Sequence, residues 1–68
     1  MNNLLIQFGM NVRSRRKLLG ISQERLALLA GLDRSYMGRV ERGEVNLTIE
    51  KLYLIARVLD CHPRDLLP

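Results

Sequence analysis

Apolar positions recur at three- and four-residue intervals along nearly the whole chain, the period of a helix, and nowhere alternate as a half-buried strand requires. Between Leu4 and Leu19 the inward set is Leu5, Phe8, Val12 and Leu19, interrupted on the same face by Arg15 and Arg16, and Gly20 supplies the stop. From Ser22 the pattern sharpens. The Ser22 hydroxyl can accept from an unpaired amide at a helix start, and Leu26, Ala27, Leu29 and Ala30 follow at helical spacing, so a helix is predicted over residues 23–30. Gly31 stands where helices commonly end in a left-handed residue, and Asp33 can cap another helix two residues later. After Gly43, the run Glu44-Val45-Asn46-Leu47 reads as a loop before Thr48, the next cap. A fourth helix covers Ile49 to Leu59, and Pro63 suits the first position of a fifth, Arg64 to Leu67. The expected fold class is all-α, with five short helices in a single domain over residues 1–68.

The third helix has two unlike sides. Met37 and Val40, three apart, are apolar, whereas Arg34, Ser35, Gly38, Arg39 and Arg42 fall together elsewhere on the circumference. Two helices joined by three or four residues around a glycine, the second with a cationic outer face, match the helix-turn-helix geometry, here at about residues 23–42. That geometry lays a recognition helix in the major groove of DNA. The plain alternative is a helical hairpin with a solvated charged side. The fourth helix carries more apolar residues than one core-facing stripe needs, which makes Leu54 and Val58 candidates for contact with a second copy of the chain. Leu66 and Leu67 either close the core or join that contact.

Charge narrows the partner. Eleven Lys and Arg against seven Asp and Glu leave +4, and nine of the eleven cations are arginine, which forks onto phosphates and guanine edges. Arg13, Arg15, Arg16 and Lys17 crowd the second half of the first helix, where phosphate contacts and a solvated end suited to the helix dipole are both open readings. Asn46 is likewise open between a backbone phosphate and a turn that bonds its own backbone. A single core in a chain this small supplies roughly 3–5 kcal/mol, which a dimer would augment. No apolar run is long enough to span a membrane, and the first residues lack a basic start and a cleavage site, so a cytoplasmic protein is expected. Cys61, alone, makes neither an internal disulfide nor a thiolate zinc site and reads as a partly buried hydrophobe. His62, also alone, reads as a cap or a surface residue. With one His, one Cys, no glycine-rich phosphate loop and no paired carboxylates, no enzyme, metal or cofactor is expected.

The pattern I-S-Q-E-R-L-A-L-L-A-G-L, then Y-M-G-R-V-E-R-G, then N-L-T-I-E-K-L-Y-L-I-A-R-V-L resembles the helix-turn-helix domains of phage repressors and their bacterial relatives, the Xre family. Within it, G-L-D-R-S-Y-M-G-R-V-E-R-G-E-V-N-L-T looks most like the controller proteins of restriction–modification systems. The resemblance implies a five-helix, phage-repressor-like domain that binds DNA as a homodimer. It places base-reading positions on Arg34, Ser35 and Arg39, with Tyr36 against a thymine methyl or a phosphate, and Gln23 on a phosphate. Ser22, Arg42 and Asn46 complete the phosphate-binding set. It also implies a structural pair between Arg16 and Glu41 that fixes the recognition helix against the scaffold. Two features depart from the pattern: Gly38 is a poor helix former inside the recognition helix, and Glu44-Val45 stand where relatives often carry cations.

The expected function is sequence-specific binding by a symmetric dimer at an inverted repeat, regulating transcription, with Glu24 a candidate contact to RNA polymerase. The alternative is a protein-interaction module, antitoxin-like or adaptor-like, on the same scaffold. Three arginines on the outer face of residues 34–42 favour DNA, since a protein-binding centre is apolar with few charges.

Overall fold

Local capping opens three of the helices in the computed structural model, which describes residues 3–68. After α1 (Asn3–Leu18), Ser22 Oγ accepts from the Arg25 N–H at 2.9 Å and starts α2 (Gln23–Ala30). Asp33 Oδ2 accepts from the Ser35 N–H at 3.1 Å and starts α3 (Arg34–Glu41). Thr48 Oγ1 accepts from the Lys51 N–H at 3.2 Å and starts α4 (Ile49–Val58). Ser22 and Thr48 each remove one unpaired amide from a helix start, and Asp33, which also accepts from the Tyr36 N–H, removes two. The α2–α3 turn is closed by the Leu32 N–H on the Ala27 carbonyl at 2.9 Å, leaving Gly31 to Asp33 as the whole connection.

The fifth helix is not formed. Pro63–Asp65 make one 3₁₀ turn, with the Leu66 N–H on the Pro63 carbonyl at 3.0 Å. Leu66 then turns inward to 1% exposure, and its carbonyl accepts from Asn11 Nδ2 at 3.0 Å, so tertiary anchoring replaces a further helical turn. Leu19 also departs from the predicted inner set. The helix ends one residue before it, Leu19 is 41% exposed, and Ile21 packs against the core instead.

Phe8 and Val12 of α1, Leu26 and Ala27 of α2, Met37 and Val40 of α3, and Ile55 of α4 meet Leu59 and Leu66 in one core. α3 lies against both α1 and α2, while α4 backs onto α2. Two glycines let α1 approach the end of α3. A Cβ on Gly9 would lie 2.5 Å from the Glu41 carbonyl oxygen and 2.6 Å from that of Val40. Gly43, at φ +74°, turns the chain where a Cβ would meet Ile6 Cα at 2.6 Å. Arg15 is more than a solvated helix end: Nε donates to the Leu59 carbonyl at 3.0 Å and Nη2 to that of Asp60 at 2.9 Å, capping the end of α4. Among the described residues no helix is long and apolar enough to cross a membrane.

Candidate nucleic-acid interface

The inner side of α3 is fixed by a buried polar cluster. Arg16 Nε meets Glu41 Oε2 at 2.7 Å and Arg16 Nη2 meets Oε1 at 3.0 Å, with the two side chains 12% and 3% exposed. The third arm of the guanidinium, Nη1, donates to the Ile21 carbonyl at 3.0 Å. This two-bond fork ties the C-terminal end of α3 to α1 and to the entry of α2. Glu41 Oε1 also accepts from Gln23 Nε2 at 3.1 Å, a bond absent from the sequence reading. Gln23 is thereby oriented by the scaffold, with its amide at the edge of the outer surface.

That outer surface carries a shallow polar groove lined by Gln23, Arg34, Ser35, Gly38 and Arg42. Gly38 forms its floor: a Cβ there would lie 3.2 Å from Arg42 Nη1 and 3.4 Å from Gln23 Oε1. The poor helix former of the sequence reading is thus the residue that lets two polar side chains close over α3. Arg34 and Arg39 are exposed, and among the described residues the side-chain ion pairs are Arg16–Glu41 and Arg42–Glu44, so neither has a carboxylate partner. Ser35 donates its hydroxyl to Asp33 Oδ2. This bond, then the Tyr36 N–H, hold the Asp33 carboxyl below its ordinary range. The hydroxyl of Ser35 is thus committed to the helix cap, which narrows the base contact assigned to it.

Tyr36 is half-buried against the core, with Lys51 Nζ 4.6 Å from its ring centroid and the Arg39 guanidinium 5.8 Å away. At these distances the ring attracts both cations. Lys51 was invisible as a site residue in the sequence because it belongs to α4, fifteen residues from Tyr36. Ser22 is exposed beside Gln23, and Asn46 is exposed at the rim of an apolar groove that also includes Leu4, Leu5, Ile49 and Leu67. Of the four residues assigned to a second copy of the chain, Leu54 and Val58 are half-buried, Val58 packing on its own core, and Leu67 is 49% exposed. Leu66 belongs to the core and is corrected from that set. Cys61 is half-buried and its thiol is pushed up by burial, partly opposed by Arg15. The His62 N–H donates to Asp65 Oδ2 at 3.1 Å.

Two caps, a three-residue turn and an outward cationic helix clamped from behind define a helix-turn-helix protein. The chain belongs to the helix-turn-helix family, whose sequence profile matches residues 12–66. It is 48% identical over 50 residues to the control protein C.SmaI of Serratia marcescens, a match spanning 74% of this chain and 60% of that protein. It is 37% identical to the control protein C.BamHI of Bacillus amyloliquefaciens over 67 residues, 97% of this chain and 83% of that protein. Among solved structures it superimposes with a TM-score of 0.89 on the restriction–modification controller protein C.AhdI from Aeromonas hydrophila, at 48% identity over 91% of this chain and 94% of that one.

Proposed function

We propose that the chain is a sequence-specific DNA-binding transcriptional regulator, a restriction–modification controller protein that acts as a homodimer at an inverted repeat. The observation that carries this reading is the face of α3: Arg34 and Arg39 stand outward without carboxylate partners, on a helix that Arg16 and Glu41 hold from behind. A helix of eight residues is roughly 12 Å long, close to the width of the major groove. The control proteins of Serratia and Bacillus support the finer assignment.

Arg34 and Arg39 read base edges, Gln23, Ser22 and Asn46 take phosphates, and Lys51 strengthens the positive rim from α4. Size supports the dimer. The longest dimension of the molecule is 29 Å, whereas recognition helices reading successive major grooves on one side of a duplex stand about 34–36 Å apart. One copy presents one such helix, so a second copy is needed. The apolar groove of Leu4, Ile49 and Leu67 is the surface offered to that second copy, while Leu54 and Val58 lie on another side of α4.

Arg34→Ala tests the base-reading role. On duplexes selected by the wild type, it is expected to relax preference at one symmetric pair of positions by about 1–3 kcal/mol, read by competition binding against point variants of the site. Equal losses on selected and random duplexes would reduce Arg34 to a phosphate contact. Gly38→Ala is expected to raise the melting temperature of the free protein, since alanine favours a helix interior by about 1 kcal/mol and the nearest obstacle is the movable end of Arg42. The same methyl fills the groove floor, so duplex affinity falls while stability rises. A parallel gain in both would place the DNA elsewhere.

A further inference from the structure

The least expected feature of the outer surface is that Arg42, assigned to phosphate, already holds an anion. Its Nε donates to Glu44 Oε2 at 3.0 Å and its Nη2 to Glu44 Oε1 at 3.3 Å. The carboxyl of Glu44 lies below its ordinary range, first through the Arg42 hydrogen bond and last through the charge of Arg39. Surface ion pairs are commonly incidental, because water screens the attraction and the side chains lose freedom. Three details set this pair apart. The Glu44 N–H bonds the Arg39 carbonyl at 2.9 Å, which docks the backbone of Glu44 on the last turn of α3. The preceding Gly43 is pressed against Ile6 of α1, so the turn that presents the carboxylate is braced. The remaining arm of the guanidinium, Nη1, lies over Gly38, 3.2 Å from where a Cβ would stand.

We propose that Glu44 is a specificity-determining residue that positions Arg42, turning it from a free phosphate anchor into a fixed donor over the groove floor beside Gln23 and Gly38. The proposal rests on the DNA-binding reading. With the Nε and Nη2 edge occupied, Arg42 offers Nη1 into the groove. A phosphate, being an anion, competes with Glu44 for the guanidinium and is repelled by the carboxylate it displaces. A base edge presents neutral acceptors such as O6 and N7 of guanine and takes Nη1 without breaking the pair. Contacts to phosphate are available on every sequence, whereas the base edge is available only on the right one. Glu44 therefore weakens indiscriminate binding more than it weakens selective binding.

The test is Glu44→Gln, which keeps the size and one acceptor oxygen and removes the charge. Affinity is measured across salt for a random duplex and for a duplex selected by the wild type, with a thermal melt to establish folding. For the variant, random-duplex affinity is expected to rise about three- to tenfold with a salt slope steeper by roughly 0.9 for each phosphate gained, about 1.8 for the two copies of a dimer. The selected duplex gains less, so the ratio of the two affinities falls. In an Arg42→Lys background, where no fork can form, the same substitution is expected to leave that ratio unaltered. Equal gains on both duplexes would show a plain charge effect, and no change on either would show an incidental pair; each overturns the proposal. A wild type that binds no duplex at any salt overturns the DNA-binding reading itself, and this inference with it.

Discussion

Glu41→Ala is expected to leave much of the protein unfolded at room temperature. The substitution strands the Arg16 guanidinium, 12% exposed, between α1 and α3 with only the Ile21 carbonyl left to it. Breaking a buried pair by removing one partner costs about 3–5 kcal/mol, since the surviving charge stays out of water uncompensated. A single core of this size supplies roughly 3–5 kcal/mol in all, so the loss is comparable with the whole stability. Urea unfolding followed by circular dichroism reads the result as a midpoint displaced towards zero denaturant. Glu41→Gln retains an oxygen facing Arg16 and is expected to lose distinctly less. A midpoint for Glu41→Ala close to that of the wild type would show that α3 is held by its apolar side alone, through Met37 and Val40. The same substitution releases Gln23, whose amide is steered by Glu41, so the variant bears on the groove as well as on the fold.

Gly9→Ala is the second large effect. The added methyl meets carbonyl oxygens of Val40 and Glu41, backbone atoms that cannot swing aside as a side-chain tip can. α1 and α3 must separate, and overpacking of this kind costs about 1–3 kcal/mol, occasionally more. The better helix propensity of alanine returns about 1 kcal/mol at most. The net change is expected as a lower melting temperature, by roughly 4–8 °C for each kcal/mol in a domain of this length. Gly38→Ala provides the contrast in α3: the methyl on Gly9 meets backbone at 2.5 Å, the one on Gly38 a side-chain end at 3.2 Å, and the expected signs are opposite. An unchanged or raised melting temperature for Gly9→Ala would mean that the α1–α3 spacing is looser than the contact at Glu41 requires.

The caps and the turn were legible in the sequence because they are local. Ser22, Asp33 and Thr48 each bond an amide two or three residues away, and the predicted helix over residues 23–30 is the one observed. The two faces of α3 were legible for the same reason: Met37 and Val40 are buried and Arg34 and Arg39 are not. What escaped depends on chain segments meeting from far apart. Arg15 bonds carbonyls 44 and 45 residues away, and no periodicity in α1 distinguishes it from the exposed Arg13 beside it. Gly9 looks like a mere weakness in a helix until α3 is laid across it. The last helix shrank to one turn because Leu66 is drawn into the core and its carbonyl is taken by Asn11, a residue 55 positions earlier. The pair between Arg16 and Glu41 was implied by family resemblance and not by spacing, and Gln23 joins it only through the fold.

Resemblance also hid something. In a loop where the resemblance leads one to expect cations, Glu44 reads as a deficit of phosphate binding. Bonded to Arg42, whose Nη1 lies over Gly38, it is a device that orders the groove. The composition of the chain fits this view. Its positive charge is spread so that Arg16 and Arg15 hold the fold, Arg42 is held by Glu44, and Arg34 and Arg39 alone on α3 remain unpaired.

The most direct measurement is selection of bound duplexes from a random pool by the wild-type chain. The expected result is a two-fold symmetric site whose half-sites, each bearing guanine opposite Arg34, are centred about 34–36 Å apart along the duplex. A pool that stays unenriched, or that converges on a single asymmetric motif, would contradict a paired molecule presenting α3 twice to DNA.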